Sequence, residues 1–227
     1  MDEISKHDFQ PETPCIKVVG VGETMAPIIE SLKEKWGGFI SAEMAGEFNP
    51  EKADKMVIIV SDGNAEATRN AIKASRETLT IVAVAEDAMI DSLDVPVLKS
   101  TIPNMQKQIN EIITPIIHTG TIGYSFDDFE MMVRGCNKIV VETAKASGKS
   151  RFADTLSLLS PGLGNYSKYS VILYYNPNDE HHLIMAELQG LTQWIENLPK
   201  NMEVVWAVYQ DYTLSDGNVK LTVITAR

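Results

Sequence analysis

At 227 residues and 44% hydrophobic, the chain is long enough for one large or two small domains and can bury an ordinary core without disulfide or metal staples. Its 31 acidic against 20 basic residues leave a net charge of -11, which argues against an electrostatic grip on nucleic acid or an anionic membrane and leaves proteins or small molecules as partners. No run reaches the roughly 18 apolar residues of a spanning helix, and the opening MDEISKHDFQPETP has no apolar h-region, so a cytoplasmic protein without a membrane span is expected. Cys15 and Cys136 lie in apolar stretches outside any metal or redox spacing and read as buried thiols in a reducing compartment.

Residues 1–14 carry charges and two prolines without periodicity and read as a flexible tail. CIKVVGVG, from Cys15, reads as a buried strand entering a glycine turn. Met25 to Trp36 has helical spacing, with Thr24 as a candidate cap and Gly37 and Gly38 as the stop. A short strand, Phe39 to Ala42, precedes a polar loop through Asn49 and Pro50 and a second apolar run, Met56 to Val60. The spacing then predicts a helix from Ala65 to Glu77 and a third buried strand from Leu79 to Ala85. This strand and helix alternation implies a parallel sheet, with VPVLK as a further strand at its edge.

Asn104 to His118 is the longest helical pattern, its isoleucines three or four apart and Pro115 placed to bend or end it. Beyond Gly120 come a helix (Phe126 to Arg134), a strand (Lys138 to Ala144), a helix (Arg151 to Leu159), a strand (Ser170 to Tyr175) and a helix (His182 to Leu198). Val204 to Thr213 and Val219 to Ala226 read as strands, with SDGN between them as a hairpin signal. Acidity is uneven, -8 up to His118 and -3 beyond it, which places a boundary near that residue. The organisation expected is a tail at 1–14, a shortened Rossmann-like parallel-sheet domain at 15–118 ending in a connecting helix at 104–118, and an α+β domain at 119–227 closed by an antiparallel hairpin.

Four places assemble chemistry-bearing residues. Gly20, Gly22, Glu23 and Thr24 form a glycine turn between strand and helix, where amides can hold a phosphate; the carboxylate of Glu23 counts against it, and a plain structural turn is the other reading. Asp62, Gly63 and Asn64 follow the second central strand, at the sheet end where open α/β folds bind ligands; a helix cap is the bland alternative. Asp127, Asp128 and Glu130 gather at a helix start, where the helix dipole alone favours acids. Asp179, Glu180, His181 and His182 are metal-ligand types in one stretch, but adjacent histidines on a helix do not face one ion, and a solvated loop with a cap is expected. No metal site is assigned. Trp36, Trp194 and Trp206 read as core.

The order of these segments resembles the FtsZ and tubulin superfamily, and FtsZ more closely. TGTIGYSFDDF, from Thr119, is similar to the loop that leaves the central helix and delivers acids to the next subunit's nucleotide. Ala146 to Ala153 resembles the family's segment of glycine, charge, arginine and alanine that opens a helix. VVWAVYQDYTLSDGNVKLTVITA resembles its closing hairpin, and IKVVGVG, MVIIV, LTIVAVA and Asn104 to His118 its opening strands and interdomain helix.

The departures bear on mechanism. The opening glycine loop is Gly22-Glu23-Thr24-Met25-Ala26 here, and the glycine-rich and threonine-rich phosphate loop is Ser61-Asp62-Gly63-Asn64-Ala65. Segments around 40–55 and 86–103 are short. In the acidic loop the family's asparagine aligns with Gly123, its first aspartate with Ser125 and its second with Asp128, the one family-type acid retained. A triphosphate needs several converging N–H groups, usually with a cation, to offset desolvation. The resemblance therefore implies an FtsZ-like structural or regulatory protein of bacterial cell division without GTPase activity, self-assembling or modulating the filaments of an FtsZ-type partner. The competing expectations are a weakened GTPase holding GTP and Mg, and a small-ligand module on the carboxyl edge of the sheet around Gly22, Glu23, Thr24, Asp62 and Asn64.

Overall fold

The computed structural model describes residues 15–46, 48, 54–75, 78–90, 93–159, 166–181, 183–198 and 200–227. The expected tail, Asn49, Pro50, Glu77 and His182 lie outside the described residues. The first half runs β1 (Cys15–Val21), a single 3-10 turn (Glu23–Met25), α1 (Ala26–Trp36), β2 (Ile40–Met44), β3 (Asp54–Ser61), α2 (Ala65–Ala74), β4 (Leu79–Ala85), β5 (Val97–Ser100) and α3 (Ile102–Ile117). The second runs α4 (Phe126–Val133), β6 (Lys138–Ser147), α5 (Arg151–Leu158), β7 (Lys168–Tyr175), α6 (Met185–Glu196), β8 (Glu203–Gln210) and β9 (Asn218–Ala226).

The nine strands form one mixed sheet in the order β2-β1-β3-β4-β5-β6-β9-β7-β8. β1 to β6 pair in parallel, β7 and β8 pair in parallel, and β9 alone runs against both of its neighbours, β6 and β7. The sheet continues through the boundary anticipated at His118, by way of Val97 opposite Lys138 and Leu98 opposite Ile139.

Helices cover both faces. Ile16, Val18, Ile58, Val60 and Ile81 point to α1 and α3, and the same cluster runs on through Phe129 of α4 to Ile172 and Ile224. On the opposite face Val19, Val57, Ile59 and Val82 meet Ala71 of α2, and Val171, Leu173 and Leu221 meet Phe152 of α5 and Leu191 of α6. Strands sandwiched between helix layers are apolar on both faces, which is why MVIIV and LTIVAVA read as unbroken runs rather than alternations.

Two expectations of topology, and the burial expected of both cysteines and of Trp206, are corrected. β8 and β9 are not a hairpin: β7 lies between them, parallel to β8 and antiparallel to β9. β9 is buried along Val219–Ala226 and needs partners on both edges, whereas β8 leaves Trp206 36% exposed and suits the sheet margin. VPVLK is interior rather than at the edge, because Pro96 precedes the strand and its missing N–H costs no ladder bond; its carbonyl accepts from the amide of Val82 at 3.0 Å. Cys15 is exposed at the start of β1, its Sγ 3.2 Å from Asp54 Oδ1, and Cys136 is half-buried, so neither is a fully buried thiol. Of the tryptophans, Trp36 is core and donates to Asn110 Oδ1 at 2.6 Å, while Trp206 is the exception.

α3 ties the halves together. Ile109, Ile112, Ile113, Ile116 and Ile117 are fully buried, and the helix packs on both β4 and β6. It ends two residues past Pro115, whose carbonyl accepts from Tyr209 Oη at 2.6 Å. Glu111, in its middle, is 9% exposed; it takes an ion pair from Lys220 at 3.3 Å and a hydrogen bond from Thr222 Oγ1 at 2.7 Å. The Lys220 ammonium also lies 3.8 Å from the centre of the Tyr174 ring. Breaking such a pair leaves a buried charge uncompensated. Glu111→Ala is expected to cost about 3 kcal/mol in urea unfolding, and Glu111→Met with Lys220→Met to recover most of it.

Candidate functional site

Strand order 2-1-3-4-5 reverses direction between β1 and β3, so the crevice outside their carboxyl ends is where an open α/β sheet offers a ligand site. The residues singled out from sequence do meet there. Val21 and Ser61 pair as the last register of the two strands, and the amide of Asp62 donates to the Val21 carbonyl at 3.1 Å. Gly20 is glycine because α1 presses on β1: a Cβ there would lie 2.6 Å from Ile29 and 2.8 Å from Met44. Gly22 turns the chain at a φ of 92°, and the space beside it is filled by the carboxylate of Asp62, whose Oδ2 would be 1.8 Å from a Cβ at Gly22. Thr24 does not cap α1, whose N-cap is Met25 without a side-chain bond.

The turn from β3 into α2 satisfies itself. The amide of Gly63 donates to Ser61 Oγ at 3.0 Å, that of Asn64 to Asp62 Oδ1 at 3.0 Å, and that of Ala67 to Asn64 Oδ1 at 3.0 Å. Ser61 Oγ and Thr68 Oγ1 are 2.7 Å apart in the interior, closing the turn from beneath. Asn64 is thus the helix cap anticipated for this loop. A polyphosphate would have to be held by converging amides, yet the amides of Asp62, Gly63, Asn64 and Ala67 already serve this loop and its neighbouring strand. With the Asp62 carboxylate lying over Gly22 and Glu23 following it, these residues do not fit a triphosphate.

The second acidic group lies in the other half, on α4, which packs on β7 and β9. Asp128 forms a capping box: its Oδ2 accepts from the Ser125 amide at 2.8 Å and the Ser125 hydroxyl at 2.7 Å, and its own amide donates to Ser125 Oγ at 3.1 Å. Glu130 pairs with Arg134 one turn later, and Asp127 is exposed. The preceding loop is anchored by a bridge from Ile122 to Val208 and by the amide of Tyr124 donating to Tyr209 Oη at 3.1 Å.

The Asp179 stretch departs from the solvated loop expected. Asp179 is 1% exposed and receives amide hydrogen bonds from His181 at 2.7 Å and Gly217 at 2.6 Å and an ion pair from Arg151 at 3.3 Å. Arg151, 4% exposed, also donates to both oxygens of Glu187, at 2.7 and 3.1 Å, and to the His181 carbonyl at 2.9 Å. Arg151 therefore joins the start of α5 to the loop after β7 and the first turn of α6, and Asp179 extends the network to the β8–β9 connection through the Gly217 amide. A cation at a helix N-terminus opposes the dipole, and that mismatch in SGKSRFAD is the one signal in the sequence that Arg151 is held by dedicated acids. Among the described residues no group of three or more histidine, cysteine or acidic side chains can hold a metal, and no helix is long and apolar enough to cross a membrane.

A mixed sheet with helices on both faces, joined through one long helix, defines a three-layer α/β protein. No family model and no curated protein matches the chain. Solved structures do. An empty FtsZ dimer from M. jannaschii aligns with a TM-score of 0.68 at 13% identity, covering 96% of this chain and 89% of that one. CetZ1 from Haloferax volcanii, a GDP-bound monomer, gives 0.57 at 11% identity over 92% and 93% of the two chains. TubZ from Bacillus thuringiensis serovar israelensis, in GDP-form protofilaments, gives 0.60 at 9% over 96% and 86%. The chain has the FtsZ/tubulin superfamily fold.

The Arg151 network makes stability pH-dependent. Burial raises the carboxyl pKa of Asp179, but the His181 and Gly217 amides and the Arg151 charge outweigh it and hold it below the ordinary value. Burial likewise raises Glu187, and the Arg151 hydrogen bond and Ile184 amide bring it below its ordinary value. Groups depressed in the folded state stabilise it above their unfolded pKa and lose that contribution as pH falls through the folded value. The unfolding midpoint should hold between about pH 7 and 5 and fall from about pH 4.5 downward. Asp179→Asn should flatten that fall, and Arg151→Ala should cost about 3 kcal/mol at neutral pH.

Proposed function

We propose that the protein is an FtsZ-like structural or regulatory protein of the bacterial cytoplasm that works without GTPase activity, modulating division-type filaments through one face. The observation that carries this reading is the self-satisfied turn at Asp62, Gly63 and Asn64, with the Asp62 carboxylate over Gly22. A phosphate would have to displace a carboxylate and compete for amides already engaged, and both cost free energy. The solved relatives by fold include an FtsZ dimer and TubZ protofilaments, which supports assembly as the role such a fold serves. We read residues 15–118 and 119–227 as its two functional halves, with Asp127, Asp128 and Glu130 on the assembly face; Asp128 holds the α4 start in shape and Asp127 is its exposed acid.

Two measurements test this. Titration of fluorescent GTP and GDP, with magnesium, into the purified protein is expected to show no saturable anisotropy change up to high micromolar protein. Saturable binding that is lost on Gly22→Val would replace the reading with a weakened GTPase. Sedimentation of an authentic FtsZ polymer with and without equimolar protein is expected to show changed polymer mass, and Asp127→Lys to weaken that change. Polymer mass unaltered at equimolar ratio would remove the filament-modulating role.

A further inference from the structure

The loop that joins α3 to α4 is pinned at several points by β8 and β7. At its start Gly120 lies so close to β8 that a Cβ there would stand 2.8 Å from the Val208 carbonyl oxygen and 2.9 Å from Tyr209 Cζ. Ile122 and Val208 then exchange amide-to-carbonyl bonds of 3.2 and 3.0 Å. Tyr124, fully buried, shares a 2.7 Å hydrogen bond between its hydroxyl and that of Ser170 on β7. The next residue, Ser125, is the N-cap of α4, and Asp127 follows as the exposed acid of its first turn.

One oxygen joins the two ends of this loop. Pro115 is among the last four residues of α3, whose carbonyls the helix itself leaves open, and its carbonyl accepts from the Tyr209 hydroxyl at 2.6 Å. A hydroxyl has a single proton, and the Tyr124 carbonyl, at 3.4 Å, is the more distant acceptor for it. With that proton on Pro115, the same oxygen accepts from the Tyr124 amide at 3.1 Å. Tyr209 is 2% exposed, and burial raises its phenol above the ordinary pKa, so the proton stays in place at neutral pH. We propose that the Tyr209 hydroxyl is the positioning group of the acidic assembly face: by tying the last turn of α3 to Tyr124, it holds the 119–125 loop in the shape that presents Asp127. The proposal rests on the reading of Asp127 as the exposed acid of that face.

Tyr209→Phe keeps the buried ring and removes only the hydroxyl. In the full chain, NMR order parameters of the amides from Gly120 to Asp127 are expected to fall from the rigid value of about 0.85 toward the flexible value of about 0.6, with β4 unchanged. A loss of stability alone leaves these native-state values where they are. In sedimentation with an authentic FtsZ polymer, the concentration of folded Tyr209→Phe protein that gives the half-maximal change in polymer mass should rise about fivefold, with the plateau kept. Added to Asp127→Lys, the same change should weaken the effect no further, because both act through one side chain. If Tyr209→Phe does not fold, Gly120→Ala, which forces the loop off the Tyr209 ring, must show the same loosening and the same shift. Unchanged order parameters, or effects of Tyr209→Phe and Asp127→Lys that simply add, would overturn the positioning role even where the wild-type protein alters the polymer. A loosened loop with no effect of the wild-type protein on polymer mass would instead fault the assembly reading alone.

Discussion

A carboxylate in the middle of the central helix must be neutralised wherever that helix is buried, and the two halves of the molecule meet around this constraint. α3 carries Glu111 among isoleucines that are fully removed from water. Its partners, Lys220 and Thr222, come from β9, the one strand that runs against the others. The pair therefore fixes which part of β9 lies beneath α3, and with it the register of β6 and β7 on either side. Tyr209, on β8, adds a second tie through the Pro115 carbonyl. Apolar burial supplies most of the stability, but these directional contacts select one alignment of the helix over the sheet.

The same sheet creates two unlike ends. At its carboxyl end, where β1 and β3 diverge, the chain bends through Gly22 and Asp62 and uses its own side chains to satisfy its amides. The result is a turn with an acidic face, chemically distant from a phosphate cradle. At the amino end, α2 and the close of α4 bring Arg69, Lys73 and Arg134 around a hollow lined by both polar and apolar side chains. A fold supplies positions, and side chains decide what those positions do.

The Arg151 network shows how the second half is organised without a comparable helix. The guanidinium at the start of α5 takes a carboxylate and a carbonyl from the loop after β7 and a carboxylate from the first turn of α6, and Asp179 carries the network on to the Gly217 amide between β8 and β9. The bidentate contact with Glu187 exploits the planar fork that a lysine lacks. This explains why the stretch from Asp179 to His181, rich in metal-ligand residue types, serves packing: its carboxylate is spent on Arg151 and on two backbone amides.

The sequence by itself determined where the chain is strand and where it is helix, because the periodicity of burial is local: the runs at Met56 and Leu79, the isoleucine stripe of α3 and the Asn64 cap stand close to where they were read. It also determined the chemistry of the two glycine turns, since Glu23 and Asp62 are visible as acids without any structure. The strand order was decided by the tertiary structure alone. SDGN between two apolar runs carries a hairpin signal, yet β7 fits between β8 and β9 because pairing depends on which edges remain to be satisfied across the whole sheet. The burial of Asp179 and the meeting of Arg69, Lys73 and Arg134 at one cleft are of the same kind. Each is a contact between residues far apart in the chain, and no local pattern encodes a contact whose energy exists only after the sheet has closed.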